Sequence, residues 1–440
     1  MELSLRRDLK IPFIAGNSVS QTLSANQIQN LLILSAAIVA FFLKLIIAYN
    51  TFGTNDVAAF YMFAHSLNEH GLEWTYRNGV IFFSNFPIFN HPPLTAYYLQ
   101  LIERLSQLES LRSIGVTFPF LLRLPGIVSD FVVVIVLMRA SQANPQLRIP
   151  RWGLVLFALS PVSLMVSGFH GNTDSIVVMF LVLAATMCLH DRPILCGVFL
   201  ALSCQIKVIS MLVVPIIFFY WLAHKSAMRF AIPFVLVCAT TWAKPLIKFP
   251  SLFFKNVFSY NSYWGSWGIT YWLRLTRWPP FQSIGPFHQS GVAIAVGLLL
   301  KIIIVAAVLA IAWRRRRLSG LSLVHSIAYA WIIFFVFAPG VCPQYMVWLS
   351  PFILILSPTF YGWLTTASTI FLFVFYNSIA GGLPWFIAIS RINLKAVWVP
   401  WSLLTWATLL IGMISFWKNS AAADFVLRLL GLEISRSKET

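Results

Sequence analysis

"LLILSAAIVAFFLKLIIAY", residues 31–49, decides the class of this chain. The run is too long for a signal-peptide core and has no small-residue cleavage site after it, so it reads as an uncleaved first membrane span. Similar runs recur along the sequence. Of its 440 residues, 59% are hydrophobic and only 10% are charged, which excludes an ordinary soluble domain. The runs are of helix length, unlike the roughly ten-residue alternating segments of outer-membrane barrels. The fold expected is an all-α integral membrane protein.

Spans are placed near 28–50, 116–139, 152–169, 174–190, 194–206, 208–222, 230–247, 291–313, 321–338, 345–358, 360–378 and 398–417. Several are shorter than the ~20 residues a straight crossing needs. The stretch 194–222 reads as one long helix, a re-entrant pair or two spans, and the positive-inside rule arbitrates. "SLRRDLK", "RPI", "HKSAMR", "WRRRRLSG" and "WKNS" share one side only if 194–222 crosses twice. Both termini are then cytoplasmic, with tails at 1–27 and 419–440 around a single domain, 28–418. Two long segments, 51–115 and 248–290, face the other side. Their aromatic content, as in "YNSYWGSWGITYWLRLTRWPPF", suits helices lying in the interface.

The net charge of +18 is scattered among the spans, and no nucleic-acid-binding fold is visible. Membrane lipids and phosphate-bearing substrates are the partners expected, and nucleic acid is not. The five cysteines, Cys188, Cys196, Cys204, Cys238 and Cys342, lie mostly in apolar runs without metal-ligand spacing and read as small core residues.

With only thirteen Asp and Glu residues, the acids can be sorted one by one. Glu2, Asp8, Asp191, Asp424, Glu433 and Glu439 are cytoplasmic by this topology. Asp130 stands two helical turns from Arg123, which suggests an ion pair or shared polar network between them. Glu103 and Glu109 flank an amphipathic helix, "LTAYYLQLIERL", and read as solvated. Asp56, Glu69, Glu73 and Asp174 remain at the outer boundary, where Asp56 and Asp174 are also candidate helix caps. Among the bases, snorkelling accounts for Lys44 and Lys244. Lys207 needs an anion if its turn is buried. In "FNHPPLTAY", residues 89–97, two prolines hold His91 on a stiff extended strut.

Taken in order, Asp56 after the first span, "NHPPLTAYYL", "SPVSLMVSGFHGNTDS", "QIKVISMLVVP" and "CPQYMVW" resemble the GT-C class of polytopic membrane glycosyltransferases. The proline-proline segment is most similar to that of the dolichyl-phosphate-glucose glucosyltransferases, with His91 where they carry tyrosine, and to bacterial polyprenyl-phosphate-sugar-dependent relatives. The resemblance extends over roughly 28–360. It implies a GT-C-like bundle of about twelve spans with interfacial helices in a long first outer loop. It also implies inverting transfer of a hexose, mannose or glucose, from a polyprenyl-phosphate donor to a glycan, glycolipid or protein acceptor. The bacterial relatives favour a bacterial inner membrane over the ER membrane, with the site on the periplasmic or lumenal side.

A phosphate leaving group needs no proton, so one carboxylate suffices as base, and positive charge must steady the departing phosphate. Asp56 is therefore the candidate base. Lys207, His91, His170, Asp174, Gln344 and Tyr345 are the candidate phosphate and sugar contacts. No cofactor is expected, and a divalent metal has no supporting motif, the Asp-x-Asp of some mannosyltransferases of the class being absent. The competing classes are a secondary transporter or lipid flippase, and a noncatalytic membrane subunit. A transporter would normally show two related halves, which this chain does not.

Overall fold

The computed structural model describes residues 25–81, 88–144, 146–147, 149–258, 267–282, 290–389 and 397–418. The expectations for the two tails fall almost wholly outside these residues. The described residues are helical nearly throughout, and among them eight helices are long and apolar enough to cross a membrane. It is a multi-pass integral membrane protein.

The principal helices are α1 (Ala25–Asn50), α2 (Asn55–Asn78), α3 (Pro93–Ser106), α4 (Phe118–Ala143), α5 (Arg151–Ala158), α6 (Asp174–Leu189), α7 (Pro193–Ile206), α8 (Val214–Ala223), α9 (Ala227–Lys248), α10 (Gly291–Arg315), α11 (Gly320–Phe337), α12 (Met346–Leu356), α13 (Pro358–Ala380) and α14 (Val399–Lys418). Their starts follow from local chemistry. Pro93 opens α3, where a missing N–H costs nothing. Ser290, Ser319 and Ser357 cap α10, α11 and α13 by accepting from the backbone three residues on. After α5 the chain is π-helical from Leu164 to His170 and stops at Gly171 in the left-handed region.

Four apolar helices, near 174–189, 193–206, 208–223 and 343–356, are shorter than a straight crossing. Their contacts fix their directions. Ser203 near the end of α7 donates to Val177 O near the start of α6 at 2.9 Å, so the two are antiparallel. Gly197 lies against the Phe230 backbone while Gln205 bonds Val237 and Thr241, so α7 and α9 run parallel. Gly320 meets Leu189, and Phe219 meets Trp313 at 5.6 Å, which places the end of α8 with the end of α6. The chain therefore reverses at Lys207, the single extended residue between α7 and a 3-10 turn at Val208–Leu212. All contacts of the Asp56 neighbourhood lie at the Lys207 end.

The main core runs between α4, α6, α11, α12 and α13 around Trp331, Phe335 and Phe371. A second cluster, with Phe60, Phe63, Phe89 and Phe253, lies under α2 and α3. The membrane face is apolar: α10 exposes Leu298, Leu299, Ile302 and Val305.

Three ion assignments made from spacing are corrected here. Asp130 pairs with Lys44, not Arg123: Lys44 Nζ lies 2.6 Å from Asp130 Oδ2 and 2.6 Å from Ser163 Oγ. Lys44 is 3% exposed, so it does not snorkel. Glu103 is buried rather than solvated, taking bonds from Asn68 and from His65 at 3.1 Å. Each error has one cause: helical spacing shows which residues share a face, and the neighbouring helix decides what that face meets.

Candidate active site

Asp56 sits in the first turn of α2, but it is not the cap. Thr54 Oγ1 accepts from Asp56 N at 3.3 Å and fills that role. The Asp56 side chain is thus available for other partners. Its Oδ2 receives three: His170 Nε2 at 3.0 Å, Asn172 Nδ2 at 2.9 Å and Gln344 Nε2 at 3.3 Å. Thr173 N donates to Asn172 Oδ1 at 2.6 Å, which turns the amide so that its NH₂ faces the carboxylate. Tyr376 OH meets His170 Nδ1 at 3.0 Å and fixes the ring from behind. Among the described residues Oδ1 of Asp56 has no hydrogen-bond partner, and the side chain is 31% exposed. One oxygen is held and the other is open.

Burial alone would raise the Asp56 carboxyl, but His170, Lys207 and Asn172 together hold it below its ordinary value. It is ionised at neutral pH. His91 moves the same way for different reasons. Burial first, then the charge of Lys207, pushes it down to about 3, so its imidazole is neutral. The ring packs against Phe60 and Phe89 at 5.2 and 5.6 Å. Tyr76 OH holds the His91 carbonyl at 2.7 Å, and Thr95 Oγ1 donates to Ile206 O at 2.8 Å. The proline strut is therefore docked onto the residue before Lys207.

Lys207 finds its anion in Asp174: Nζ lies 2.7 Å from Oδ1, and Trp348 Nε1 donates to the same oxygen at 2.6 Å. The ammonium also stands over the Tyr345 and Trp348 rings, at 5.4 and 5.7 Å from their centroids. Asp174 is fully buried, and among the described residues its Oδ2 has no partner. The seven candidates thus fall into three groups. Asp56, His170 and Gln344 touch directly. Asp174, Lys207 and Tyr345 form the adjoining group. His91 touches neither group by hydrogen bond, although its charge environment is set by both Lys207 and Asp56.

Spacing did not point to Tyr376, Trp348 or Arg123. Arg123 is 1% exposed and spends its guanidinium on backbone oxygens and the Thr51 hydroxyl. It donates to Ala48, Thr51 and Phe52 at the end of α1, at 3.0, 2.5 and 3.3 Å. It also reaches Gly168 and Phe169 at the end of the π-helix, at 3.1 and 3.2 Å. The cation sits between two helix C-termini, where carbonyl dipoles compensate it. Those two ends lead into Asp56 and into His170. The segments are packed so tightly that a Cβ on Gly53, at φ +103°, would lie 2.7 Å from Phe169 O. Thr54 Oγ1 adds a bond to His170 O at 2.9 Å. Among the described residues no three His, Cys, Asp or Glu side chains gather as a metal site requires.

Residues 88–282 match the model of the ALG6, ALG8 glycosyltransferase family. The resemblance to GT-C membrane glycosyltransferases holds. No curated protein matches the chain. The matched stretch takes in His91, His170, Asp174 and Lys207. Asp56, Gln344 and Tyr345 lie outside it, and the contacts above bring them beside His170 and Lys207.

Proposed function

We propose that this glycosyltransferase moves a hexose, glucose or mannose, from a polyprenyl-phosphate donor to an acceptor hydroxyl, with inversion. In the step, the acceptor oxygen bonds the anomeric carbon as the bond to phosphate breaks. The acceptor proton passes to Asp56, and the leaving phosphate keeps the electron pair. The observation that carries this reading is the Asp56 carboxylate, with Oδ2 held by three donors and Oδ1 open. Three donors keep the group ionised and aimed, at some cost in basicity. A phosphate leaving group tolerates a weak base, because bond breaking runs ahead of proton transfer.

Lys207 is the phosphate anchor in this reading. Asp174 holds one of its hydrogens and leaves the ammonium's other donors for the donor phosphate. His170 steadies the base, Gln344 and Tyr345 line the site, and neutral His91 offers a ring N–H without adding charge. The acceptor is a glycan, a glycolipid or a protein. The eight long helices and the four short ones together make twelve crossings in this reading, with α2 and α3 lying in the outer interface. The site then opens on the periplasmic or lumenal side, and a bacterial inner membrane fits the resemblance best.

The test is transfer by purified protein from polyprenyl-phosphate glucose and polyprenyl-phosphate mannose to cell-envelope acceptors, for wild type and Asp56→Asn. Asparagine keeps the shape and cannot take the proton, so a loss of roughly 10²–10⁴-fold is expected with donor binding retained. A folded Asp56→Asn protein working at near-normal rate would remove Asp56 as base.

A further inference from the structure

A second charged feature lies at the same end of the bundle, away from Asp56. A groove of about 400 Å³ runs between the end of α2 and the end of α9, lined by Glu73, Arg77, Lys248, Lys255, Phe249 and Leu252 among others. Arg77 is paired with Glu73 at 2.9 Å, which leaves that pair neutral. Lys248 and Lys255 are both exposed, and among the described residues neither has an ion-pair partner. The groove therefore carries two uncompensated positive charges over an apolar floor. Its walls are tied together: Asn256 Nδ2 donates to Tyr76 O at 2.6 Å, and Phe249 meets the Tyr76 ring edge-on at 6.2 Å.

Its level follows from the helices. Lys248 ends α9, which runs parallel to α7, so the groove lies at the Lys207 end, where a crossing helix leaves the hydrocarbon. Along α2, Asp56 and Arg77 are 21 positions apart (77 − 56), roughly 30 Å for a straight helix and less with the kink at Gly71. A ligand in the groove does not occupy the donor site. Lysines at helix C-termini are favourable in themselves, and that alone would account for Lys248. It does not account for Lys255 converging on the same groove from the next segment, nor for the apolar floor beneath both.

We propose that this groove binds the phosphate head group of an anionic membrane lipid, separately from the sugar donor. The two lysines face the phosphate, and Phe249 and Leu252 meet the start of the chains. The inference rests on the membrane fold and not on sugar transfer, so either can fail without the other.

Native mass spectrometry of the full chain in neutral detergent tests it, with phosphatidylglycerol, phosphatidylcholine and inorganic phosphate as probes. One phosphatidylglycerol should bind above the phosphatidylcholine background. Lys248→Gln with Lys255→Gln should weaken it roughly thirtyfold, at about fivefold per lysine. The corresponding arginine pair should restore it. Should the double variant fail to fold, Lys255→Gln alone is read for the fivefold loss. Undiminished phosphatidylglycerol binding in the glutamine variants would overturn the proposal. So would displacement by inorganic phosphate at the lipid's own concentration, which would mark a site for soluble anions.

Discussion

Replacing Arg123 by methionine removes a side chain that grips both segments of the candidate active site. The guanidinium makes seven hydrogen bonds, six of them to backbone carbonyls and one to Thr51 Oγ1. Methionine keeps most of the volume, so the cost is polar rather than a cavity. Each buried carbonyl left without a partner costs about 1–3 kcal/mol. The terms do not add, because some carbonyls recover a bond as the helix ends relax. No charge is left unpaired, so two orphaned carbonyls set the expected destabilisation, about 2–5 kcal/mol. The rate effect is separate. Ala48–Phe52 leads into Asp56 and Gly168–Phe169 into His170, so freeing both lets base and imidazole drift apart. A misplacement of about 1 Å costs roughly 10²-fold. Lys207 is held by Asp174 and not by Arg123, so the donor KM should change little while kcat falls. Melting of the purified protein in detergent, followed by tryptophan fluorescence, and steady-state transfer read the two effects. Arg123→Lys should fall between, since one ammonium cannot serve both helix ends at once. Wild-type melting temperature and kcat in Arg123→Met would refute the clamp.

Four further outcomes can be checked. Asp174→Ala leaves Lys207 as an unpaired buried cation and should cost about 3–5 kcal/mol, with Asp174→Ala/Lys207→Met recovering part of it; full additivity in the double variant's thermal melts would show that the pair is not coupled. Tyr376→Phe removes the hydroxyl at His170 Nδ1 and should lower kcat roughly tenfold without raising donor KM, so an unchanged kcat would make that contact incidental. The folded His91 titrates near 3 instead of 6.5, so below pH 6.5 the unfolded chain binds a proton the folded one refuses, and stability falls as pH drops toward 3; melting temperatures of His91→Gln across this window should decline less than wild type, and parallel profiles would contradict the burial. Asp56 is depressed below 3.8, so its contribution to stability is present above that value and lost as pH falls past it, and the activity loss it causes belongs there too; an acid limb centred between pH 5 and 7 and traced to Asp56 would contradict the three-donor cradle.

The outer-boundary acids were legible because charge is scarce in this chain. With thirteen acids in 440 residues, each must be solvated, paired or used, and loop topology narrows the choice. That reasoning reached Asp56, Asp174 and the crowded "HGNTD" turn. Helix lengths were equally legible from apolar runs, and even the awkward 194–222 stretch announced its break by placing Lys207 between two apolar segments. The partners of Asp130, Lys44 and Glu103 were not. A single helix shows what its own face carries, and Asp130 shares a face with Arg123 by spacing alone. The contact was instead decided by α1 lying against α4, which brought Lys44 in at 2.6 Å and sent Arg123 to backbone carbonyls. Carbonyls carry no sequence signature, so a side chain with six of its seven bonds to backbone cannot be placed from residue types.

Lys207 shows where the two kinds of inference meet. A lysine at a break between apolar segments requires an anion, because an unpaired ammonium there is costly. That requirement is visible in the sequence, but it has two solutions: a substrate phosphate or a protein carboxylate. The structure supplies Asp174 as the resident anion, so the buried cation is compensated within the protein itself. In the proposed reading a donor phosphate would add to an existing pair instead of rescuing a lone charge. Asp174 is held in turn by Trp348 on its bonded oxygen, while its second oxygen is buried and, among the described residues, unpartnered. The unfavourable group in this arrangement is therefore the carboxylate, not the lysine. Any movement of Lys207 toward a phosphate would loosen its hold on that carboxylate, which ties the strength of donor binding to the stability of the fold around it.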